Sequence, residues 1–358
     1  MLAHSNAGWT ARYLRYFVGL GHTVRVISFS PATLPHPDVV QVDGNPKWGM
    51  PKLLWFLTRL PEVRKALRDF RPDVVLATYL SSNGLAAALT WRGPLVVSAR
   101  GGDVLRQAGY LPAPEWLLRP MMRFVCGRAD EIHAVSEELA EALVGFGIRR
   151  DRIACFPLGV PLGELSMRED PGPAAPLRVI CTRRQEEVYG NRVLIDALAR
   201  LRDEGVEVRG TLVGGGPLLE SLVGRTRSLN LESRVNFVGE VSPADLPGLL
   251  RAADVYVSAS SSDGTSSSLL EAMACGLFPI VSDIRANHPW VHHGQNGLLF
   301  DVGDAASLAD AIREAGTRRA SFREVALSNR ALLERDGDQS ANNRKLMALL
   351  ESACQKRH

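Results

Sequence analysis

The chain alternates short β-branched runs with helical patterns, and after a break the same alternation begins again. Buried strands are predicted in the first half at 23–29, 73–79 and 95–99. In the second half they are predicted at 177–182, 206–214, 234–239, 254–260 and 278–282. Repeated β-α-β units require parallel sheets with right-handed crossovers. The sequence therefore predicts an α/β protein with two Rossmann-like domains facing each other across a cleft.

The stretch rich in Pro, Gly and Ala at 169–176 is the predicted linker between these domains. We expect an N-terminal domain at 1–170, a C-terminal domain at 171–338, and a C-terminal helix at 339–358 that could pack back on the N-terminal domain. The length of 358 residues suits two domains. Only three residues precede His4 where a first strand is expected, so that strand is either very short or truncated.

Charge and cysteine usage exclude several classes of protein. The net charge of +3 is too small to indicate a nucleic-acid partner. The five cysteines are widely spaced and form no CxxC pair, which is typical of reduced thiols in a cytoplasmic protein without a metal centre. Charges or prolines interrupt every apolar run before it reaches the roughly 18 residues of a membrane span. We expect a cytoplasmic enzyme without a metal or cofactor.

The stretch SDGTSSSLLEAMACG at 262–276 places a loop between a predicted strand and a helix. Backbone N–H groups at the start of a helix point outward and favour a phosphate. The predicted donor-binding positions in this loop are Gly264, Thr265, Ser266, Ser267 and Ser268. Glu271 could accept hydrogen bonds from a ribose, and Asp263 could reach a sugar beyond the phosphates. These three contacts together would suit a nucleotide-sugar.

A structural alternative accounts for part of the same stretch. The residues SLLE at 268–271 are predicted to form a capping box. In it Ser268 would cap the helix, and the Glu271 side chain at the third helical position would accept the backbone N–H of Ser268. Two glycines carry a similar ambiguity. Gly214 is either a turn residue or one that shapes the nucleotide pocket, and Gly8 is either a turn residue or a place where backbone approaches the donor. The glycines after the strand at 206–214 do not form a dinucleotide fingerprint, since Leu219 replaces the third glycine.

The acid pair and its surroundings resemble the signature of the retaining family 4 glycosyltransferases, in which an acid, seven residues and Glu bind the donor. The similarity runs from RVNFVGEVSPADLPGLLRAADVYVSASSSDGTSSSLLEAMACGLFPIVSD to NGLLFDVGDAASLADAI. The first half is more loosely similar, through GHTVRVISF, RPDVVLATYL, VVSARGGDVL and FPLGVPLGEL. The resemblance implies the GT-B architecture, with the donor on the C-terminal domain and the acceptor on the N-terminal domain.

The resemblance also implies an activity. A sugar would move from a UDP- or GDP-linked donor to a hydroxyl acceptor, with retention and without a metal, in polysaccharide or glycolipid assembly. Arg183, Asp263 and Arg100 would be catalytic, Arg184 would contact the donor phosphates, and Gly101 and Asp103 would lie on the acceptor side. Two alternatives stay open: an inactive module that binds nucleotide-sugars, and a sugar-nucleotide epimerase of the same architecture.

Three positions depart from the family pattern. Asp263 stands where Glu is commoner, which shortens the first acid by one methylene. No Lys is found near Val188 or Tyr189, where the family has one, so Arg184 could substitute as a phosphate partner. Arg100 stands where many members have His. It either brings a fixed cation to the reaction centre or shapes the pocket.

The segment 47–71 is basic and contains Trp48, Trp55 and Phe56. Its seven Lys and Arg residues oppose only Glu62 and Asp69. One interpretation is an amphipathic helix with its apolar face on the sheet and a solvated basic face. The other is attachment to the anionic inner face of the cell membrane, which would suit a lipid-linked acceptor. Pro61 is predicted to break or kink the helix.

Overall fold

The computed structural model describes residues 1–4, 8–29, 39–42, 52–105, 115–169 and 176–357. The chain divides into two compact units. The first unit comprises Met1–Leu158 together with Ser340–His358, and the second comprises Gly159–Gln339. Each has its own parallel sheet with helices around it, which confirms the α/β class predicted from the alternation.

Parallel strands form the centre of the first unit: β1 Val26–Ser28, β2 Val39–Gln41, β3 Val75–Thr78, β4 Leu95–Ala99, β5 Glu131–Ala134 and β6 Ile153–Cys155. Leu2 makes isolated parallel bridges to Ile27 of β1 and to Ala77 of β3, and so joins the two groups of strands. In the described residues, Leu2 stands at the place of the expected first strand. From Leu2 the chain builds outward to β1 and β2 on one side, and then to β3 through β6 on the other.

The helices of this part of the chain are α1 Gly8–Gly19, α2 Lys52–Phe70, α3 Leu85–Thr90, α4 Glu115–Arg128 and α5 Glu137–Gly145. All residues of β3 and β4 are buried, as expected for parallel strands covered on both faces. Helix α2 contributes Val63, Ala66 and Leu67 to the core that surrounds them.

Six parallel strands form the sheet of the second unit: β7 Leu177–Cys181, β8 Val208–Val213, β9 Val235–Gly239, β10 Val255–Ser258, β11 Phe278–Ser282 and β12 Leu298–Phe300. Their spatial order is β12-β11-β10-β7-β8-β9. The helices are α6 Asn191–Asp203, α7 Leu219–Ser228, α8 Leu246–Arg251, α9 Ser267–Ala274, α10 Ala305–Thr317 and α11 Phe322–Leu332. The direction of strand addition reverses between β7 and β10. In open α/β sheets, ligands bind outside the carboxyl ends of the strands at such a reversal.

The last helix, α12 Gln339–Gln355, packs within the first unit. Its buried residues Leu346, Leu350 and Ala353 join the cluster that contains Tyr13 and Phe17 of α1. This apolar contact ties the end of the chain to residues near its beginning.

The division after Leu158 comes earlier than the predicted boundary at residue 170. Val160 is fully buried in a core cluster of the second unit, and the guanidinium of Arg168 pairs with Asp254 at 2.7 Å. Residues 159–169 therefore pack with the second unit through apolar burial and an ion pair. Of the predicted linker, residues 170–175 lie outside the described part of the chain.

Helix α2 runs without a break through Pro61, so the predicted break is wrong, while the kink given as its alternative stays a prediction. Pro61 and Leu57 are both exposed, and the Leu57 carbonyl that Pro61 cannot pair can bond to water instead. The rings of Trp55 and Phe56 lie against Phe29, with centroids 6.2 and 5.7 Å away. Lys47 and Trp48 lie outside the described residues. None of the described helices combines the length and the apolar character that crossing a bilayer requires.

Candidate active site

Two of the predicted catalytic residues meet at the carboxyl edge of the second sheet. Arg183 follows β7 and Asp263 follows β10, the two neighbouring strands between which the chain order reverses. The Nη2 atom of Arg183 donates to Oδ2 of Asp263 at 2.6 Å. The sequence predicted both residues for the site, but not their direct ion pair.

Arg183 is held on several sides. Its Nη1 atom donates to the hydroxyls of Ser266 at 2.9 Å and Ser268 at 3.0 Å, and its guanidinium lies 4.1 Å from the ring centroid of Tyr189. Burial lowers the pKa of Arg183, but the charge of Asp263 outweighs this effect and the net pKa is raised. The group therefore stays charged, and its orientation is set before any ligand arrives.

Helix α9 begins at a different residue from the one predicted. Its N-cap is Ser266, which has an extended backbone and whose Oγ atom accepts the Leu269 N–H at 3.3 Å. Ser268 is already inside the helix, and the third helical position is Leu269 rather than Glu271. The capping-box interpretation of 268–271 is therefore wrong. Glu271 is the fifth residue of the helix and is only 7% exposed. Capping therefore does not explain this acid.

The loop before α9 is partly occupied by its own side chains. The Oδ1 atom of Asp263 accepts the Gly264 N–H at 2.8 Å. Thr265 and Ser267 are half-buried beside it. The hydroxyls of Ser266 and Ser268 contact Arg183. The structure thus brings the predicted phosphate-binding stretch and Arg183 to one place, while the phosphate contacts themselves stay a prediction.

Gly214 supports the loop that carries Arg183. Its φ is +118°, and a Cβ there would lie 3.0 Å from the Arg183 carbonyl oxygen. The Gly214 N–H donates to the Gly239 carbonyl at 2.7 Å, and its own carbonyl accepts from Gln185 at 3.3 Å. These contacts favour the turn interpretation of Gly214, and a role in shaping the nucleotide pocket stays a prediction.

Arg184 points to a different environment from Arg183. Its side chain is exposed, and its Nε atom pairs with Glu186 at 2.7 Å. Its predicted role as a phosphate partner in place of the missing Lys is untested. Tyr189, near the place of that Lys, instead stacks on Arg183.

Two tyrosines of the site were not predicted from the sequence. Tyr256 donates its hydroxyl to Ser268 Oγ at 3.0 Å, and burial raises its pKa to about 12. In the sequence it resembles any core residue of β10. The sequence drew attention to Tyr189 only because the family Lys is missing near that position.

In the first unit, Arg100 follows β4 and is 8% exposed. Its Nη2 atom donates to the Tyr13 hydroxyl at 3.1 Å, and its guanidinium lies 4.7 Å from the Trp9 ring centroid. Its Nε and Nη1 atoms are buried and make no hydrogen bond with any residue that the structure describes. This cation therefore differs from Arg183, which has an acid beside it.

Gly101 and Asp103 build the loop that carries Arg100. The Asp103 carboxylate accepts backbone N–H groups from Leu80 at 2.7 Å, Arg100 at 3.0 Å and Gly101 at 2.9 Å. Asp103 therefore stabilises the loop, and its contact with an acceptor stays a prediction. Gly8 is the first residue of α1, where a Cβ would meet no heavy atom within 4 Å.

Among the residues that the structure describes, no group of three or more His, Cys, Asp or Glu side chains is placed to hold a metal ion. Arg183 and the N-terminus of α9 are the positively polarised groups of the site in the second unit.

Two protein-family models together match most of the chain. The model of the family Glycosyl transferases group 1 matches residues 167–329, and that of Glycosyltransferase Family 4 matches residues 9–164. WcaL of Escherichia coli K12, provisionally named a colanic acid biosynthesis glycosyltransferase, is 30% identical over 305 residues, 79% of this chain and 71% of WcaL. A D-inositol 3-phosphate glycosyltransferase of Pseudarthrobacter chlorophenolicus is 29% identical, over 80% of this chain and 75% of that protein.

Solved structures share the fold. Alr3699/HepE of Anabaena, solved in complex with UDP and glucose, has a TM-score of 0.79 at 21% identity and covers 98% of both chains. A sucrose-phosphate synthase from Thermosynechococcus elongatus has a TM-score of 0.80 at 20% identity, over 97% of this chain and 94% of that chain.

Proposed function

The chain belongs to the group 1 glycosyltransferases and has their GT-B fold, and from this membership we propose that it is a retaining, metal-independent enzyme. It would transfer a sugar from a UDP- or GDP-linked donor to a hydroxyl in polysaccharide or glycolipid assembly. The observation that carries the proposal is the Arg183 cluster. A pre-oriented cation and the N-terminus of α9 meet at the carboxyl edge of the sheet, where the strand order reverses.

The leaving group sets the chemical demand on this site. As the glycosidic bond breaks, negative charge builds on the nucleoside diphosphate. Arg183 and the backbone N–H groups at the start of α9 would stabilise that charge. Because Ser266, Ser268 and Tyr189 already orient the guanidinium, little reorganisation would be needed during the reaction.

The two acids would have different tasks. Glu271, buried in α9 and not needed for capping, would accept hydrogen bonds from the ribose. Asp263 would orient the transferred sugar, and it also holds Arg183 in place. A donor phosphate would have to share Arg183 with Asp263 or displace it, so the ion pair is the feature that donor binding should change.

Retention would follow from attack on the face that the diphosphate leaves. The acceptor hydroxyl would pass its proton to a diphosphate oxygen, which acts as the base. This mechanism requires no protein base. The second unit would hold the donor and the first unit the acceptor.

A donor-binding measurement tests the proposal. We expect one of a panel of UDP- and GDP-sugars to stabilise the protein by about 2.7 kcal/mol at 100 times its dissociation constant. Transfer or slow hydrolysis of that donor should be undiminished in EDTA. Loss of activity in EDTA that Mg²⁺ or Mn²⁺ restores would refute metal independence. Binding without any turnover would support the inactive module, and interconversion of free donors would support the epimerase.

The same assay on Glu271→Gln examines the ribose contact. Removing the charge should weaken donor binding by about 10- to 150-fold, the equivalent of about 1.5–3 kcal/mol for a charge-assisted hydrogen bond. Glu220→Gln, an exposed acid in the first turn of α7, is the matched control and should bind as the wild type does. If a folded Glu271→Gln protein kept full donor affinity, Glu271 would not belong to the site.

Peripheral membrane attachment through the segment 47–71 is the less supported part of the proposal. In its described portion Val63, Ala66 and Leu67 of α2 pack into the core. Arg64, Lys65 and Arg68 are exposed. Each could contribute up to about 1 kcal/mol near an anionic surface. Binding to anionic but not neutral liposomes, released by salt and lost when all three become Gln, is the expected result. A protein that stays in the supernatant at low salt would indicate a solvated helix face and a soluble acceptor.

A further inference from the structure

Arg100 follows β4, one strand away from the place where the first sheet reverses its strand order, between Leu2 and β3. Leu2 bridges β1 and β3, and the chain extends from this centre in both directions. The carboxyl ends of the central strands of an open α/β sheet form the common ligand site. Arg100 follows β4 at this edge and contacts Trp9 and Tyr13 of α1.

The guanidinium of Arg100 lacks an anion. No carboxylate of the described ranges lies within ion-pair distance of it, and its only hydrogen-bond acceptor is the Tyr13 hydroxyl. Nε carries one N–H group and Nη1 carries two, and none of the three has an acceptor among the described residues. The residue is buried, with 8% of its surface exposed. Buried charges in native proteins are normally paired, because desolvation of an unpaired ion is costly. The rings of Trp9 and Tyr13 offset only part of that cost.

The polar neighbours of Arg100 are engaged elsewhere. The carboxylate of Asp103 is occupied by backbone N–H groups. His133 is bonded to Ser98 Oγ at 2.7 Å and to the Phe156 carbonyl at 2.8 Å. Burial, and secondarily the charge of Arg100, lower the pKa of His133 to about 3, so this ring is neutral. The protein supplies no internal counter-ion from these residues.

Aromatic side chains surround the same place. The Trp9 and Tyr79 rings are half-buried, with their centroids 6.2 Å apart. The centroid of the His4 ring lies 4.9 Å from that of Tyr79. Tyr79 has a φ of +66°, an unfavourable conformation for a non-glycine residue that is typically retained at functional sites. Aromatic walls with one charged group are the usual composition of a small-molecule pocket.

We propose that Arg100 binds an anionic group of the acceptor, a carboxylate or a phosphate carried near the hydroxyl that is glycosylated. The proposal rests on the proposed transferase function for the word acceptor, but the binding site itself does not depend on turnover. Arg100 is thus a specificity residue that selects acidic over neutral acceptors.

Binding to matched sugars without donor tests the site. The probes are methyl β-D-glucuronide against methyl β-D-glucoside, and D-glucose 6-phosphate against D-glucose. We expect at least one anionic probe to bind tenfold or more tightly than its neutral partner, and the pair that shows this identifies carboxylate or phosphate as the source. Equal affinity of wild type for both members of both pairs would overturn the proposal, without any variant being needed.

Variants locate the effect. Arg100→Gln should reduce the preference to about one, and Arg100→Lys should recover part of it because the charge remains but the planar fork does not. Arg149→Gln, an exposed arginine of the same unit, should keep the preference. If Arg100→Gln folds and keeps the preference, or instead weakens binding of the nucleoside diphosphate, the assignment to the acceptor is wrong. Transfer to neutral and acidic acceptors at equal rates would refute this inference and leave the transferase function standing.

Discussion

Arg183→Ala should lower kcat/KM for glycosyl transfer by about 10²–10³-fold, equivalent to about 2.7–4 kcal/mol of transition-state stabilisation. This is the cost observed when one pre-oriented donor to a developing anion is removed. Arg183 has the required pre-orientation, because two serine hydroxyls, Asp263 and the Tyr189 ring fix its guanidinium. Steady-state kinetics with the donor found by binding measures the loss.

Controls separate this role from a structural one. Arg184→Ala changes the neighbouring arginine, which is exposed and forms an ion pair with Glu186, and should have a much smaller effect. Arg183→Lys should recover part of the activity, since a point charge remains. A larger loss for Arg184→Ala than for Arg183→Ala would show that the phosphate partner of this loop is Arg184.

Asp254→Asn should lower the free energy of unfolding of the second unit by about 3–5 kcal/mol, the usual cost of removing one partner from a buried ion pair. Asp254 is buried and precedes β10. Its carboxylate accepts from Arg168 Nη2 at 2.7 Å, from Arg178 Nη2 at 2.8 Å and from the Arg178 backbone N–H at 2.9 Å. Without its charge, the buried guanidinium of Arg168 would have no counter-ion in this group. Urea unfolding, with hydrogen exchange of β7 and β10, gives the measurement.

The same pair predicts a dependence on pH. Burial raises the pKa of Asp254, but the hydrogen bonds from Arg178 and Arg168 outweigh it and hold the pKa below its usual value. A folded-state pKa below the unfolded value means that the stabilisation is complete above about pH 4 and is lost as pH falls through the folded pKa. Asp254→Asn should flatten this acid dependence. Asp203→Asn, which breaks an exposed pair with Arg202, should cost under about 1 kcal/mol. An equal loss in both variants would contradict the assignment.

Strand positions were predictable because buried parallel strands appear in sequence as short β-branched runs. The run at 95–99 matches β4, and the run at 278–282 matches β11. Strands β5 and β12 were not predicted because Glu131–Ala134 contains one β-branched residue and Leu298–Phe300 contains none. The break predicted at Pro61 does not occur. The effect of a proline on a helix depends on whether water can reach the carbonyl that the proline leaves unpaired, and the tertiary structure decides that exposure.

The sequence alone determined that Arg183 and Asp263 lie at one edge of a sheet, because both follow parallel strands whose carboxyl ends point the same way. It did not determine that they touch. They are 80 positions apart, and they meet because the crossovers place β10 beside β7. Likewise the sequence showed Arg100 after a strand, and only the packed structure showed that no acid of the described ranges forms an ion pair with it. Side-chain partners depend on which loops of non-consecutive strands become neighbours, and local pattern carries no information on that distance.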